Sequence, residues 1–166
     1  MTYATTDLCD ANDDHVRSGK LRILSPTFKT YGGKRAFFGL ITTVKVFEDN
    51  VLVRATLEEP GDGKVLFVDG GGSCQCALVG GNLAVLATKN GWTGIVVNGC
   101  IRDVDEINSC EIGVRAIAAH PLKSTKRGQG EKNVPIHIGG VRVVPGEWCY
   151  ADSDGIIVSS NELARL

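Results

Sequence analysis

The chain has 166 residues, of which 43% are apolar and 22% charged, and its formal net charge is −1. This length and composition predict a single folded domain, residues 1–166, with a hydrophobic core rather than a disordered chain. The near balance of 18 basic and 19 acidic residues provides no broad basic surface for phosphates, so direct binding to nucleic acid is not expected.

The apolar stretches and the cysteines together predict the cellular compartment. No apolar run approaches the roughly 20 residues of a membrane span, and residues 1–4 do not begin a signal peptide. Six cysteines occur in a chain that is long enough to form a core and has no export signal, so we interpret them as free thiols. We therefore expect a cytoplasmic protein without membrane contacts.

Strands and helices alternate in the first part of the chain. Residues 6–11 predict a short helix capped by Thr6 or Asp7, because both side chains can accept a hydrogen bond from the first helical turn. Aromatic and β-branched side chains predict strands, and compact apolar runs predict buried ones. On these grounds we predict extended segments at 27–33, 37–46 and 64–69, and a helix at 50–59.

A glycine pair interrupts the helical spacing of residues 75–89. Inside a helix each glycine costs about 1 kcal/mol relative to alanine. We therefore predict a turn at Gly80-Gly81 and a helix from Asn82 onward. The N–H groups of a first helical turn have no acceptor within the helix, so this turn could bind an anion.

Residues 94–98 predict a buried strand that ends at an Asn-Gly break and is followed by Arg102 and Asp103. An arginine can bind a planar carboxylate or enolate through two parallel hydrogen bonds, and an aspartate can hold a hard divalent metal. Charged residues after a strand occupy the usual ligand position of α/β proteins. The alternative interpretation is purely structural: the two side chains would form a salt bridge with each other at the start of a helix.

Strands dominate the last part of the chain. A short helix at 103–108 and a strand at 114–119 precede a polar loop at 122–133, whose cluster of basic residues we interpret as solvated. Further strands are predicted at 135–138, 141–144 and 156–158, the first two joined by a Gly139-Gly140 turn. This order predicts an α/β domain with stacked β layers rather than a doubly wound sheet. The basic residues of the loop are Lys123, Lys126, Arg127 and Lys132.

Several spaced motifs occur in a characteristic order, namely 70–73 (Gly-Gly-Gly-Ser), 77–84, 94–99, Arg102-Asp103 and 150–158. Together they resemble the family of ribonuclease E activity regulator A and its relatives, the class II 4-hydroxy-4-methyl-2-oxoglutarate aldolases. The similarity is greatest to the plant and protist branch. It implies a swivelling β/β/α-type fold and a ring-shaped homotrimer with sites near the subunit interfaces.

The same resemblance implies a divalent-metal-dependent lyase that acts on a small 2-oxo acid. Its reactions would be cleavage of 4-hydroxy-4-methyl-2-oxoglutarate, decarboxylation of oxaloacetate, or both, through a pyruvate enolate. In the aldolase branch the arginine and the amides of the glycine-rich turn hold pyruvate, while the aspartate holds Mg²⁺ or Mn²⁺, largely through waters. Carried onto this chain, the catalytic pair is Arg102 and Asp103, the metal ligand is Asp103, and the substrate-binding residues are Gly80, Gly81, Asn82, Leu83 and Arg102.

One position departs from the aldolase pattern, which is an aspartate, twenty residues, and then Arg-Asp. Counting back over the twenty residues 82–101 leads to Gly81. The resemblance assigns to the missing carboxylate the orientation of the water that exchanges protons with the enolate. We therefore expect oxaloacetate decarboxylation to survive better than aldol cleavage. The proton donor stays open between Asn82 orienting a water, a carboxylate of a neighbouring subunit, and His120.

The resemblance also implies a non-catalytic alternative, since some members bind and inhibit ribonuclease E or helicases. Local negative charge could serve such a ribonuclease or helicase partner, although we interpret it as a solvated face. Metal dependence separates the two functions, because an enzyme would need the ion and would lose activity in Asp103→Ala. The acidic residues concerned are Asp103, Asp105, Glu106 and Glu111.

Overall fold

The computed structural model describes residues 3–164, which form five helices and twelve strands. None of the helices in this range is long and apolar enough to cross a membrane. The helices are α1 (Thr5–Ala11), α2 (Asp13–Ser18), α3 (Val51–Leu57), α4 (Gly81–Lys89) and α5 (Val104–Asn108). The strands are β1 (Leu21–Ile23), β2 (Lys29–Tyr31), β3 (Phe37–Lys45), β4 (Val65–Asp69), β5 (Ala77–Val79), β6 (Gly94–Ile101), β7 (Gly113–Ala119), β8 (Glu131–Lys132), β9 (Ile136–Ile138), β10 (Val141–Val143), β11 (Trp148–Ala151) and β12 (Ile156–Ser159).

Ten strands form one mixed sheet in the order β1-β12-β11-β3-β4-β6-β7-β2, with β5 beside β6 and β8 beside β3. Strands β3, β4, β6 and β7 run parallel, and antiparallel strands flank them on both sides. The hairpin of β9 and β10 turns at Gly139-Gly140, whose positive φ angles of 56° and 78° suit glycine, as predicted. Because carboxyl ends of parallel strands meet at one edge, the segments after β5, β6 and β7 lie close together.

Both faces of the parallel strands are buried, which explains their continuous apolar sequences. All five residues of β4 are buried. On one face, residues of α3, α4 and α5 form a core with Leu66 and Ile95. On the other, residues of β9 to β12 pack against Phe67 and Val96. The result is a mixed α/β fold with a second β layer on one face, in agreement with the predicted class.

Most predicted elements are present within a few residues of their predicted bounds, whereas five short elements are not predicted from the sequence. Strands β1, β5, β8 and β11 have only two to four residues, too few for a hydrophobic period to emerge. The fifth is helix α2. Strand β5 precedes the predicted Gly80-Gly81 turn, in residues whose apolar positions have helical spacing, because pairing with β6 decides its conformation.

The predicted cap of α1 is wrong. The helix begins at Thr5, and its N-cap is Ala4, which has no side-chain hydrogen bond to offer. Instead, the N–H of Thr5 donates to Asp152 Oδ2 at 2.7 Å, so the acceptor comes from the far end of the chain. A cap supplied by tertiary structure cannot be identified from neighbouring residues.

The predicted end of the strand at residue 98 is also wrong, because β6 continues to Ile101. Its register with β7 shifts between Val97 and Cys100, so the Asn-Gly pair forms an irregularity within the strand rather than a break. The carbonyl of Asn98 accepts the N–H groups of Gly70 and Gly72 at 3.1 Å, which gives this segment backbone partners outside the parallel ladder. The longer strand carries Arg102 to the sheet edge.

Candidate active site

Three loops at the carboxyl edge of the parallel strands meet around one small cleft of about 80 Å³. They follow β5, β6 and β7, and the N–H of Arg102 donates to the carbonyl of Val79 at 2.9 Å, which joins the first two loops. Of the residues predicted for the site, all except Gly81 line the cleft. The predicted residues that line it are Gly80, Asn82, Leu83, Arg102 and Asp103.

Gly80 is the N-cap of α4 and lies beside the side chains of Arg102 and Asp103. A β-carbon built on Gly80 would lie 3.0 Å from Asp103 Oδ2 and 3.4 Å from Arg102 Nε. A larger residue would therefore press on the two groups that are predicted to do the chemistry. Close approach, and not an unusual backbone angle, explains the glycine at this position.

Asp103 caps α5 in the left-handed conformation, with φ 57° and ψ 49°. Aspartate is one of the few residue types that adopt this conformation with some frequency, and such outliers cluster at functional sites. Its Oδ2 accepts the N–H of Gly81 at 2.9 Å. The side chain is exposed, and its Oδ1 has no hydrogen-bond donor within the described part of the chain. One carboxylate oxygen therefore remains available to a ligand.

The salt bridge between Arg102 and Asp103, which is the structural alternative, is not formed. Neither side chain takes part in any of the four ion pairs found within residues 3–164. The side chain of Arg102 is half-buried. Its single hydrogen bond within residues 3–164 is a marginal one, from Nη1 to the carbonyl of Pro121 at 3.5 Å. Most of its donors are therefore free for a ligand.

The start of α4 offers two backbone donors. The N–H groups of Asn82 and Leu83 have no acceptor among residues 3–164, as expected for a first helical turn. The third predicted donor, the N–H of Gly81, is already bound to Asp103. The arrangement places two open amides and one guanidinium around the same cleft, which suits a carboxylate.

Glu106 is a candidate that the sequence analysis assigned only to an acidic surface. A β-carbon on Gly81 would lie 2.1 Å from Glu106 Oε2, so this carboxylate occupies the space that a side chain at position 81 would fill. Glu106 follows Asp103 by three residues across the start of α5, a spacing that puts both on one side of a helix. That spacing was the available signal, but only the packing of α5 against α4 reveals the contact with Gly81.

The proton-donor candidates are placed differently. Asn82 lines the cleft. His120 does not, and its Nδ1 accepts the N–H of Leu122 at 3.2 Å in the turn after β7. This hydrogen bond supports a structural role for His120 within the chain. The neighbouring basic loop is exposed, as predicted, but it brings Lys123 and Lys126 to the cleft.

A larger cavity of about 560 Å³ lies at the opposite end of the parallel strands, beside Phe38 and Trp148. The cations on its wall already have partners. Lys34 Nζ contacts Thr93 Oγ1 at 3.3 Å, and Lys64 Nζ lies 5.8 Å from the centre of the Trp92 ring. Among residues 3–164, the larger cavity therefore lacks the combination of free cation, free carboxylate oxygen and open amides that distinguishes the smaller cleft.

Comparison with known proteins extends over almost the whole chain. Residues 5–158 match the family model described as RraA-like, Aldolase/RraA. An Arabidopsis thaliana protein, provisionally named 4-hydroxy-4-methyl-2-oxoglutarate aldolase 3, is 63% identical over 162 residues, which cover 98% of each chain. Among solved structures, the RNA-processing inhibitor RraA from Thermus thermophilis is 46% identical, with a TM-score of 0.92 over 100% of this chain and 98% of that chain. A Geobacillus kaustophilus structure, described as an S-adenosylmethionine:2-dimethylmenaquinone methyltransferase, is 48% identical with a TM-score of 0.92 over 97% of both chains.

Proposed function

Since the chain belongs to the RraA-like family, we propose that it is a class II lyase that depends on a divalent metal and acts on small 2-oxo acids. Its reactions are decarboxylation of oxaloacetate and cleavage of 4-hydroxy-4-methyl-2-oxoglutarate. The observation that carries the proposal is the convergence of Arg102, Asp103 and Glu106 on the Gly80-Gly81 turn, beside two open amides.

Substrate binding follows from the donors around the cleft. The N–H groups of Asn82 and Leu83 hold the carboxylate of the 2-oxo acid at the positive end of α4. The guanidinium of Arg102 lies across the cleft and donates to the ketone oxygen. When the bond between C3 and C4 breaks, negative charge develops on this oxygen, and a preorganised cation there stabilises the pyruvate enolate.

The acidic residues suit a mostly hydrated Mg²⁺ or Mn²⁺. Magnesium usually keeps several waters and takes only one or two protein carboxylates. Asp103 offers its free Oδ1, and within residues 3–164 no group of three or more His, Cys, Asp or Glu side chains surrounds a metal position. When bound, the ion supplies a Lewis acid for the ketone oxygen.

Glu106 supplies the carboxylate that Gly81 lacks. We assign to it the orientation of the water that returns a proton to C3 of the enolate, because its oxygens fill the space of a side chain at position 81. Aldol cleavage also requires removal of the proton from the C4 hydroxyl group, whereas decarboxylation releases CO₂ without that step. Decarboxylation therefore needs fewer groups in place, and we expect it to be the faster reaction.

The test compares steady-state turnover of oxaloacetate and 4-hydroxy-4-methyl-2-oxoglutarate with magnesium, with a chelator, and in Asp103→Ala. We expect both reactions to require the metal and Asp103, with decarboxylation faster. The matched control is Asp105→Asn, an exposed acid on the same helix that does not line the cleft. Faster aldol cleavage would refute the ranking, and absence of metal-dependent turnover would refute the proposed function.

A regulator of RNA processing is the second candidate, supported by the 46% identity to a structure described as an RNA-processing inhibitor. Exposed acids on and after α5, including Asp105 and Glu111, would face such a ribonuclease or helicase. Binding of ribonuclease E to the wild type and to Asp105→Asn/Glu111→Gln, with and without chelator, separates the functions. A regulator would bind equally with and without chelator, and the double variant would bind more weakly.

We also propose that the chain works as a ring-shaped homotrimer in the cytoplasm, with the cleft near a subunit interface. The small volume of the cleft and the exposure of Asp103 support a neighbouring subunit that completes the site. Light scattering should give three times the 17.6 kDa of one chain. A monomeric mass would contradict the ring.

A further inference from the structure

We propose that Lys123 and Lys126 form a second anion-binding position in the cleft, which selects substrates that carry a second carboxylate. This inference rests on the proposed function and names the residues that hold the distal carboxylate, which both proposed substrates carry. Both lysines line the cleft together with Arg102 and Asp103, although they belong to a loop that the sequence predicts to be solvated.

The backbone that carries the two lysines is fixed on both sides. Before Lys123, the carbonyl of Leu122 accepts the N–H of Ala77 at 2.8 Å. Between the lysines, Thr125 donates its N–H at 2.9 Å and its hydroxyl at 2.7 Å to the carbonyl of Glu48. The lysines therefore start from defined backbone positions, unlike those of a mobile surface loop.

Asp49 fixes the far side of the same loop. Its side chain is only 2% exposed, and Oδ2 accepts the N–H groups of Arg127 at 2.8 Å and Gln129 at 3.3 Å, while Oδ1 accepts that of Val51. Burial alone would raise the pKa of the Asp49 carboxyl, but these hydrogen bonds outweigh burial and lower the pKa. A buried charge thus ties the loop to the start of α3.

The charges around the cleft have different partners. Arg54, which also lines it, pairs with Glu58 at 3.1 Å, and Lys132 at the end of the loop pairs with Glu59 at 2.7 Å. Neither Lys123 nor Lys126 takes part in an ion pair within residues 3–164. Two lysines on an ordered backbone, with no ion-pair partner among residues 3–164 and beside a position for one carboxylate, suit a dianion better than a monoanion.

The size of the cleft leads to the same conclusion. The cleft has a volume of about 80 Å³, which is small beside the roughly 300–1,000 Å³ of pockets that enclose drug-sized ligands. It therefore suits the 2-oxo acid end of a substrate, next to Arg102 and the α4 amides, better than a whole six-carbon molecule. The remainder extends toward the rim, where the lysine loop lies. A carboxylate there would meet Lys123 and Lys126.

The test uses two substrates that differ only at the distal carboxylate. These are 4-hydroxy-4-methyl-2-oxoglutarate and 4-hydroxy-4-methyl-2-oxopentanoate, in which a methyl group replaces that carboxylate and cleavage gives pyruvate and acetone. We expect the wild type to prefer the dicarboxylate in kcat/KM, and Lys123→Gln/Lys126→Gln to reduce this preference at least tenfold. Lys123→Arg/Lys126→Arg should keep most of it, and Lys132→Gln is the matched control outside the cleft.

Oxaloacetate provides an independent readout. Its distal carboxylate leaves as neutral CO₂, so a cation that binds it stabilises the ground state more than the transition state. The double glutamine variant should therefore raise KM without lowering kcat, a result that general damage to the fold would not produce. An unchanged preference in the double variant would overturn the lysine assignment and leave the lyase intact. Absence of metal-dependent turnover in the wild type would instead overturn the lyase itself.

Discussion

Two aspartates lie within two residues of the ends of strands in the same sheet, and their surroundings differ. Asp152 follows β11 and is saturated: Oδ2 accepts the Thr5 N–H at 2.7 Å, and Oδ1 accepts the Thr5 hydroxyl at 2.7 Å and the Asp154 N–H at 2.9 Å. Asp103 follows β6, is exposed and receives one N–H, from Gly81. The comparison separates a carboxylate whose oxygens are bound within the fold from one that keeps an oxygen available to a ligand.

The largest effect is expected when each of the two aspartates is replaced by asparagine: activity should fall at position 103 and stability at position 152. Asp103→Asn should lower turnover at least 100-fold, since even residues that only support a metal ligand are worth about 10–100-fold. Asparagine tolerates the left-handed conformation, so the free energy of unfolding should change by less than about 1 kcal/mol. Steady-state kinetics and urea unfolding measure the two quantities. A large loss of stability with retained turnover would reverse the roles assigned to Asp103 and Asp152.

The next effect tests whether Glu106 replaces the missing carboxylate. Glu106→Gln should lower aldol cleavage about 100-fold, within the usual range for a general acid or base, and decarboxylation less. Gly81→Asp alone should displace the Glu106 carboxylate, whose Oε2 would lie 2.1 Å from the new β-carbon, and should therefore not raise aldol cleavage. The double variant Gly81→Asp/Glu106→Ala removes this clash and should recover part of the cleavage. No recovery, together with full activity of Glu106→Gln, would exclude the role of Glu106.

The smallest effect concerns Asp152. Asp152→Asn should cost about 1–3 kcal/mol of unfolding free energy, because asparagine cannot accept all three hydrogen bonds. Turnover per folded molecule should stay unchanged, since Asp152 does not line the cleft. Urea unfolding and kinetics on the same preparation check both statements, and reduced kcat in the folded variant would contradict the comparison.

The pH dependence of this effect has a defined sign. Burial raises the pKa of the Asp152 carboxyl, but the hydrogen bonds from Thr5 and Asp154 outweigh it and lower the pKa. The carboxylate therefore stabilises the fold above its ordinary pKa of about 3.9, and this contribution is lost as the pH falls through the lowered value. Below that range the wild type and Asp152→Asn should unfold at similar urea concentrations.

The sequence predicts those parts of the site whose geometry is local. Arg102 and Asp103 follow a strand and precede a helix, and the Gly80-Gly81 turn precedes another, so spacing alone places them at element ends. The contact of Glu106 with Gly81 depends on how α5 packs against α4, which no local pattern encodes.

Parts of the fold escape the sequence for the same reason. The three residues of β1 become a strand through pairing with β12, which lies more than 130 residues later. The acceptor for the first turn of α1 is Asp152, at a separation of 147 residues. The local sequence of the basic loop predicts a solvated segment. Its backbone is nevertheless bound by Asp49, which lies 78 residues before Arg127. Such long-range partners decide the structure of short segments that have weak preferences of their own.

Asp49 orders the loop of residues 122–129 when the chain folds and not when a ligand arrives. A loop that is mobile in the free protein loses about 1–2 kcal/mol of backbone entropy per residue when binding immobilises it. Here that loss falls on folding, so the proposed dianion would meet a loop whose backbone is already ordered. Its association should then be limited by diffusion and attraction between charges rather than by rearrangement of the polypeptide.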